Sequence, residues 1–271
     1  MTRIALAIAV ACALPVPAAA ETPTRAQLEQ PGPRGRSRTI HMIAIAAGFA
    51  LYASSETLLK NPLSPDHCRW CDANALDRSV RDALLWSNRS RAALLSNLTG
   101  YVAAPVATTA MLVFSAWQAY PGWTGMTDDL IPMLEAVLAT QLVTSVVKIS
   151  AARQRPYAHF AAVPPPSSPE DNLSFFSGHS SATMSLAVSM GMIAQRRGYR
   201  LAPLIWATGT TLALTTMYLR IAADRHYFTD VITGATVGAA FGYLVPRLTG
   251  TLPEGMQLVP TASGVAVAGA F

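Results

Sequence analysis

No charged residue occurs between Ala92 and Thr127, and none between Leu201 and Leu219. Uncharged stretches of that length have to be buried inside a helix bundle or turned toward lipid. Further apolar stretches run at about 40–55, 98–119, 130–147, 180–194, 201–219 and 228–245, with a shorter amphipathic helix over about 77–96. Several carry Ser, Thr, Gly or Glu135, so they suit membrane spans and a packed bundle alike. The expected class is therefore all-α, a helical bundle of about six helices. A short C-terminal β-hairpin is an optional addition, because small and β-branched residues alternate from Gly264 to Phe271 and could pair with Met256–Val259.

Composition narrows the choice. Hydrophobic residues make up 51 % of the 271 and charged residues only 13 %, about half the charged share of an average soluble domain. A disordered chain, a coiled coil and an acidic solvating tail are excluded. The net charge of +5 comes from Arg at 18 positions and Lys at 2, against 15 acidic residues. These cations are scattered, without the interleaved aromatics of a nucleic-acid surface, so no nucleic-acid partner is expected.

The N-terminus reads as a secretory signal over residues 1–20. Arg3 precedes the apolar stretch Ile4–Leu14, and Ala18-Ala19-Ala20 before Glu21 offers a cleavage site. Residues 21–38, rich in Pro, Gly and Arg, read as a flexible lead-in. Segment 39–97 then holds N-terminal helices and a C-x-x-C loop, 98–246 the main helical bundle, and 247–271 a tail. Export places the mature chain in an oxidising compartment. Cys12 leaves with the signal, and Cys68 and Cys71 are expected to close a small structural disulfide. With His67 they make three ligands at most, too few for a structural zinc site. The three arginines of the loop Gln195–Arg200 favour the cytoplasmic side, which turns the His179 and Arg220 ends of the flanking helices outward. A cleaved signal starts the mature chain outside, so the stretch at 40–55 is expected to pack alongside the bundle without crossing.

Three clusters carry chemistry. Lys148 and Arg155-Pro156 put two cations at one helix end, where Pro156 makes the chain leave the helix. Phe176-Ser177-Gly178-His179 opens the next apolar helix, where free amide N–H groups form a ready anion site. Arg220, His226 and Asp230 follow. His226 and Asp230 stand four apart, so a helix would let the carboxylate fix the imidazole tautomer. Each cluster alone has an ordinary structural reading. Together they supply cations and amide donors for anionic oxygens, a nucleophile for phosphorus and a proton donor for the leaving group. No His/Asp/Glu cluster spaced for a metal accompanies them, so the cations would take a metal's part and no cofactor is expected. Among lesser candidates, His41 reads as a core or interface residue and His159 as a loop residue. Glu135 reads as an inward-facing group with a polar partner, and Asp224 as a cap of the last helix.

In order and spacing, Lys148-x6-Arg155-Pro156, Ser177-Gly178-His179 and Arg220-x5-His226-x3-Asp230 resemble the signature of the type 2 phosphatidic acid phosphatase superfamily. That superfamily also includes bacterial acid phosphatases and vanadium haloperoxidases. The resemblance implies that Lys148, Arg155 and Arg220 hold phosphate oxygens, assisted by Ser177 and the Gly178 amide. It implies that His226 attacks phosphorus, oriented by Asp230, and that His179 protonates the leaving oxygen, without a metal. Phe176 stands where a proline commonly precedes S-G-H, and Leu219 where a serine commonly precedes the arginine. The implied function is hydrolysis of a lipid phosphate or diphosphate through a phosphohistidine, by an enzyme of the inner membrane with a periplasm-facing site, or of the periplasm. Its alternatives are a soluble periplasmic acid phosphatase, a vanadate-dependent haloperoxidase, and a non-catalytic helical membrane scaffold or transporter that binds anions.

Overall fold

The computed structural model describes residues 35–119, 123–162, 168–249, 257–261 and 264–268. The expected signal peptide and most of the lead-in lie outside them. The described helices are α1 (Gly35–Thr57), α2 (Lys60–Leu63), α3 (Ala75–Leu84), α4 (Arg89–Leu98), α5 (Ala104–Ala119), α6 (Trp123–Ala151), α7 (Pro156–His159), α8 (Gly178–Arg196), α9 (Ala202–Ala222) and α10 (Phe228–Thr249). A π-turn, Thr99–Ala103, joins α4 to α5 without a break. Strands β1 (Gln257–Thr261) and β2 (Gly264–Ala268) pair antiparallel, with Gln257 opposite Ala268 and Thr261 opposite Gly264.

Six long rods result: α1, α4–π–α5, α6, α8, α9 and α10. Tyr52 and Glu56 near the end of α1, Asn97 of α4, Lys148 of α6, Gly178 of α8 and Arg220 of α9 line one cavity, which defines one end of the bundle. At the opposite end Asp129 of α6 accepts from Arg197 Nε at 2.8 Å and from the Tyr199 hydroxyl, clasping the turn between α8 and α9. Arg38 of α1 pairs there with Asp128 of α6. Helix α1 therefore runs parallel to α6 from one end of the bundle to the other.

One expectation is corrected by this arrangement, that of a single helix over 77–96. The stretch at 40–55 packs alongside the bundle as α1, 23 residues and about 34 Å long. It docks on α6 through its small Gly48 beside Leu138 and through His41, whose Nδ1 lies 2.6 Å from Glu135 Oε1. The pairing gives Glu135 its polar partner and makes His41 an interface residue. The helix expected over 77–96 is two helices, because each half has its own N-cap. Asn74 Oδ1 accepts from Asp77 N at 2.8 Å and Asn88 Oδ1 from Arg91 N at 2.9 Å, and an Asn cap starts a new helix.

Three helical stretches are long and apolar enough to cross a membrane: Arg89–Ala119, Met126–Ala151 and Phe228–Thr249. Only 28 %, 39 % and 33 % of their apolar windows is buried inside the protein, so most of that apolar area faces outward. Val106, Phe114 and Trp117 of α5, Val146 of α6 and Leu244 of α10 lie on this outer surface. Lipid accommodates such a belt, whereas water penalises a contiguous patch of this size.

The tightest packing joins α8 to α10. Gly234, Gly238 and Gly242 recur every fourth residue on α10 and face Ser177, Ser181 and Ser185 on α8, also four apart. Small residues at this spacing let two backbones touch, as in packed membrane helices. A Cβ on Gly238 would sit 2.2 Å from the Ser181 carbonyl oxygen, whereas a Cβ on Gly48 would make an ordinary contact at 3.7 Å. Gly238→Val should therefore force α8 and α10 apart and destabilise by at least about 1–3 kcal/mol. Gly48→Ala should be neutral or better, since Ala gains up to about 1 kcal/mol over Gly within a helix. Thermal unfolding of the two variants in detergent micelles measures both effects, and equal melting temperatures would contradict the packing described.

Candidate active site

The cavity at the upper end holds about 270 Å³. The three sequence clusters meet in it: Lys148, Arg155, Gly178, His179, Arg220 and His226 all line its wall. Each is placed by a local device. Lys148 stands one turn before the end of α6, which the chain leaves through Ala152 in the left-handed region (φ 46°). Arg155 is the extended residue ahead of Pro156, which occupies the first position of α7, where its missing N–H costs nothing. Gly178 opens α8 directly beside Lys148, and a Cβ there would lie 3.3 Å from the Lys148 ammonium. Gln141 Nε2 donates to the Gly178 carbonyl and to Ser181 Oγ, both at 3.2 Å, and so holds the two helices in register.

The two guanidinium groups and the imidazole are nearly enclosed. Arg155 is 4 % exposed, Arg220 6 % and His226 2 %. Arg155 Nε and Nη1 and Arg220 Nε have no hydrogen-bond partner among the described residues. Buried donors are ordinarily paired, so unpartnered guanidinium N–H groups around one cavity are able to donate to an anion placed there. Glu170, which sequence reasoning passed over, stands at the mouth: Lys60 Nζ donates to it at 2.7 Å, with Arg155 at 3.6 Å and Arg225 at 3.8 Å. Burial alone would raise its carboxyl, but Arg155, Lys60 and Arg225 outweigh burial and hold it at about 2. Lys60 had one signal in the sequence: the chain has only two lysines, and both line this cavity.

Two sequence-derived assignments are corrected. Ser177 does not face the cavity. It is buried as the N-cap of α8, its Oγ accepting from Ser180 Oγ at 2.9 Å, while its N–H donates to the Asp230 carbonyl at 3.1 Å. Asp230 does not hydrogen-bond His226 either, since Oδ2 lies 3.7 Å from Nδ1. The Ser174 backbone carbonyl accepts from Nδ1 instead, at 2.8 Å. The consequence for the imidazole is the one expected of the carboxylate: the proton stays on Nδ1 and Nε2 keeps its lone pair.

Asp230 is committed elsewhere. It accepts from Ser174 Oγ at 2.6 Å, from Tyr227 N at 2.9 Å and from Arg153 Nη1 at 2.5 Å. It thereby fixes the residue whose carbonyl holds His226. Arg153 is fully buried and reaches Asp77 Oδ2 at 2.7 Å with its other arm. Its guanidinium lies between the Trp70 and Tyr227 rings, 3.9 and 4.2 Å from their centroids. Trp70 belongs to the loop that the Cys68–Cys71 disulfide closes, so that clamp supports the site from behind. Asp224 is no helix cap. It sits at φ 59°, and Arg81 grips its carboxylate at 2.6 and 2.8 Å, fixing the loop that carries Arg225 and His226. His159 packs edge-on against Phe160, away from the cavity lining. No group of three or more His, Cys, Asp or Glu that could hold a metal ion occurs among the described residues.

The same region is recognised by comparison with known proteins. Residues 129–253 match the PAP2 superfamily, in agreement with the resemblance carried by the three motifs. A solved structure described as a transmembrane PAP2-type phosphatidylglycerolphosphate phosphatase from Bacillus subtilis is 17 % identical. That likeness covers 74 % of this chain and 93 % of the other, with a TM-score of 0.47. No curated protein matches the chain.

Two expectations follow from this geometry. Arg153→Met keeps the length of the side chain but leaves Asp77 and Asp230 buried without their shared cation, a loss of about 3–5 kcal/mol. A steep fall in melting temperature should result, with none for Arg91→Met on the exposed face of α4. Burial first, and then Arg155, Arg220 and Lys148, push His226 well below its ordinary 6.5. Nitrogen-15 NMR of histidine-labelled protein in micelles should find its ring neutral at pH 6, where an unperturbed imidazole is mostly protonated. A ring protonated at that pH would refute the electrostatic account.

Proposed function

We propose that this chain, whose residues 129–253 carry the PAP2-superfamily pattern, hydrolyses the phosphate ester of a lipid through a phosphohistidine on His226. One observation carries the proposal. Cations from three separate segments face a single cavity with guanidinium N–H groups unpartnered, beside a buried imidazole whose Nδ1 is tied to a backbone carbonyl.

The chemistry follows from that set. Lys148, Arg155 and Arg220 hold the non-bridging phosphate oxygens, with the Gly178 amide at the start of α8 adding a donor. Charge that builds on these oxygens in the transition state meets fixed cations in a site that water screens little, where they are worth most. Nε2 of His226 attacks phosphorus, the nitrogen–phosphorus bond forms, and the bond to the ester oxygen breaks. His179 gives that leaving oxygen its proton. Water then attacks the phosphohistidine, His179 takes a proton from it, and inorganic phosphate leaves with His226 restored.

The outward-facing apolar belt favours a substrate that arrives from a bilayer over one that arrives from water. A lipid monophosphate and a lipid diphosphate both suit the cavity. With Arg196, Arg197 and Arg200 at the opposite end of the bundle, the positive-inside tendency turns the cavity toward the periplasm.

Purified protein in mixed micelles should release phosphate from phosphatidic acid or from a polyprenyl diphosphate faster than from phenyl phosphate in water. His226→Ala should lower turnover by at least about 10³-fold. Acid quenching of the wild type during turnover of phosphorus-32-labelled substrate should be too harsh for the adduct, whereas alkaline quenching should retain label on the protein, as a phosphohistidine requires. Full activity of His226→Ala would overturn the assignment of the nucleophile.

A further inference from the structure

One wall of the cavity belongs to none of the three motifs. It is the π-turn Thr99–Ala103, with Asn97 just before it and Tyr101 inside it. A π-turn carries an extra residue in one helical turn, and such turns recur at functional sites. Its local causes are visible. Thr99 Oγ1 donates back to the Leu95 carbonyl at 3.0 Å and accepts from Thr216 Oγ1 at 2.9 Å. Gly100 faces α8 and α9, and a Cβ there would lie 3.2 Å from both the His179 ring and the Thr216 methyl. The helix backbone is thus laid directly against the imidazole of His179.

That contact puts one side chain at each ring nitrogen. Asn97 Oδ1 lies 2.9 Å from His179 Nε2. The Tyr101 hydroxyl lies 3.4 Å from Nδ1, and its ring centroid 4.3 Å from that of the imidazole, tilted by 47°. Among the described residues the Asn97 carboxamide has no other hydrogen bond, and it caps no helix. Tyr101 is 57 % exposed. Neither side chain is placed to hold the fold together. Charge in the cavity that holds His179 comes from several elements: Glu56 of α1, Lys60 of α2, Lys148 of α6, Arg155 and Glu170 of the connecting segment, Arg220 of α9 and Arg225 of the last loop.

Resting on the phosphatase reading above, the geometry points to Asn97 and Tyr101 as positioning residues for proton transfer by His179. The Asn97 carbonyl oxygen accepts from Nε2–H and keeps the proton there. Nδ1 is then the atom whose proton is exchanged: a bound phosphate dianion favours the imidazolium, which gives its Nδ1 proton to the leaving oxygen, becomes the neutral Nε2–H ring, and later takes a proton from water at Nδ1. The Tyr101 ring fixes the plane in which that transfer occurs. His226 is held by the same device with the nitrogens exchanged, its Nδ1–H given to the Ser174 carbonyl and its Nε2 left for phosphorus.

The test exploits leaving-group chemistry. An alkoxide must be protonated as it departs, whereas p-nitrophenolate is stable without a proton. Asn97→Ala should lower kcat on phosphatidic acid by about 10- to 100-fold, part of what a general acid contributes. The first-turnover release of p-nitrophenolate from p-nitrophenyl phosphate, a step that needs no acid, should stay within about threefold, and KM on both esters should change little. Asn97→Asp keeps the acceptor and should recover most of the loss, and Tyr101→Phe should show a smaller loss with the same substrate bias. Equal losses on both esters, or no loss on either, would overturn the proposal. A readout independent of turnover separates it from the phosphatase reading. Nitrogen-15 NMR should show His179 as the Nε2–H tautomer in the wild type and as a mixture in Asn97→Ala. A wild type in the Nδ1–H tautomer would refute the role of Asn97 even in an active enzyme. The expected tautomers in a protein that releases no phosphate would leave Asn97 as the ring's anchor and refute the phosphatase reading instead.

Discussion

Close approach of two helix backbones, α8 and α10, underlies most of this structure. Three glycines of α10 lie against the carbonyl oxygens of Ser177, Ser181 and Ser185, and no side chain larger than a hydrogen would fit between. The seam reaches its upper limit where Ser177 N–H meets the Asp230 carbonyl at 3.1 Å. At that point the start of α8, with its free amides and His179, is joined to the loop that ends in His226. Two halves of a chemical site, nearly fifty residues apart in sequence, are held by main-chain contact. Main chain has no rotamers to lose, so the spacing between them is set more firmly than side-chain packing alone could set it.

The seam also decides where charge can be stored. A bundle with an apolar belt tolerates buried cations only where they are compensated, and its arginines divide on that basis. Arg153 has Asp77 and Asp230, Arg81 has Asp224, and Arg197 has Asp129. These pairs fix the loops and the turn between α8 and α9. Among the described residues Arg155 and Arg220 have no carboxylate within hydrogen-bond distance, Glu170 reaching Arg155 only at 3.6 Å. Their unpartnered N–H groups belong to charges left unbalanced, whereas the unpartnered Nε of Arg153 belongs to a guanidinium held by two carboxylates. Paired and unpaired arginines lie within one framework, the first rigid enough to hold the second together against their mutual repulsion. An anion with several oxygens would relieve that repulsion, so any affinity for such an anion is tied to the stability of the surrounding ion pairs.

The sequence showed the motifs because each places its residues within a few positions of one another. Lys148 and Arg155, Ser177 to His179, and Arg220 to His226 could be read by spacing alone, and so could the number of long helices. Contacts between distant segments left no such trace. Nothing near Arg153 announces Asp77, 76 residues earlier, and nothing near Asn97 announces His179. The glycines of α10 were visible as letters, but their meaning depends on serines in another helix. Nor could the sequence show how α1 is oriented. The helix itself is oriented by Arg38 and His41, which find Asp128 and Glu135 at one end of α6.

Asp230 shows why spacing can name the right residues with the wrong contact. Four residues apart on a continuous helix, an Asp and a His share a face, but α10 begins only at Phe228, so His226 lies outside the helix. The carboxylate turns back to receive the Tyr227 amide and the Ser174 hydroxyl. With those bonds it fixes the loop around His226 and the segment whose carbonyl receives the imidazole proton. A carbonyl in that place holds the tautomer without a formal negative charge against the ring. The imidazole is therefore oriented but not pushed toward its protonated form, while the nearby cations disfavour that form. Both effects keep a lone pair on Nε2. A carboxylate bonded directly to the ring would have opposed the second of them, so the longer route through Ser174 suits an imidazole that stays neutral among cations.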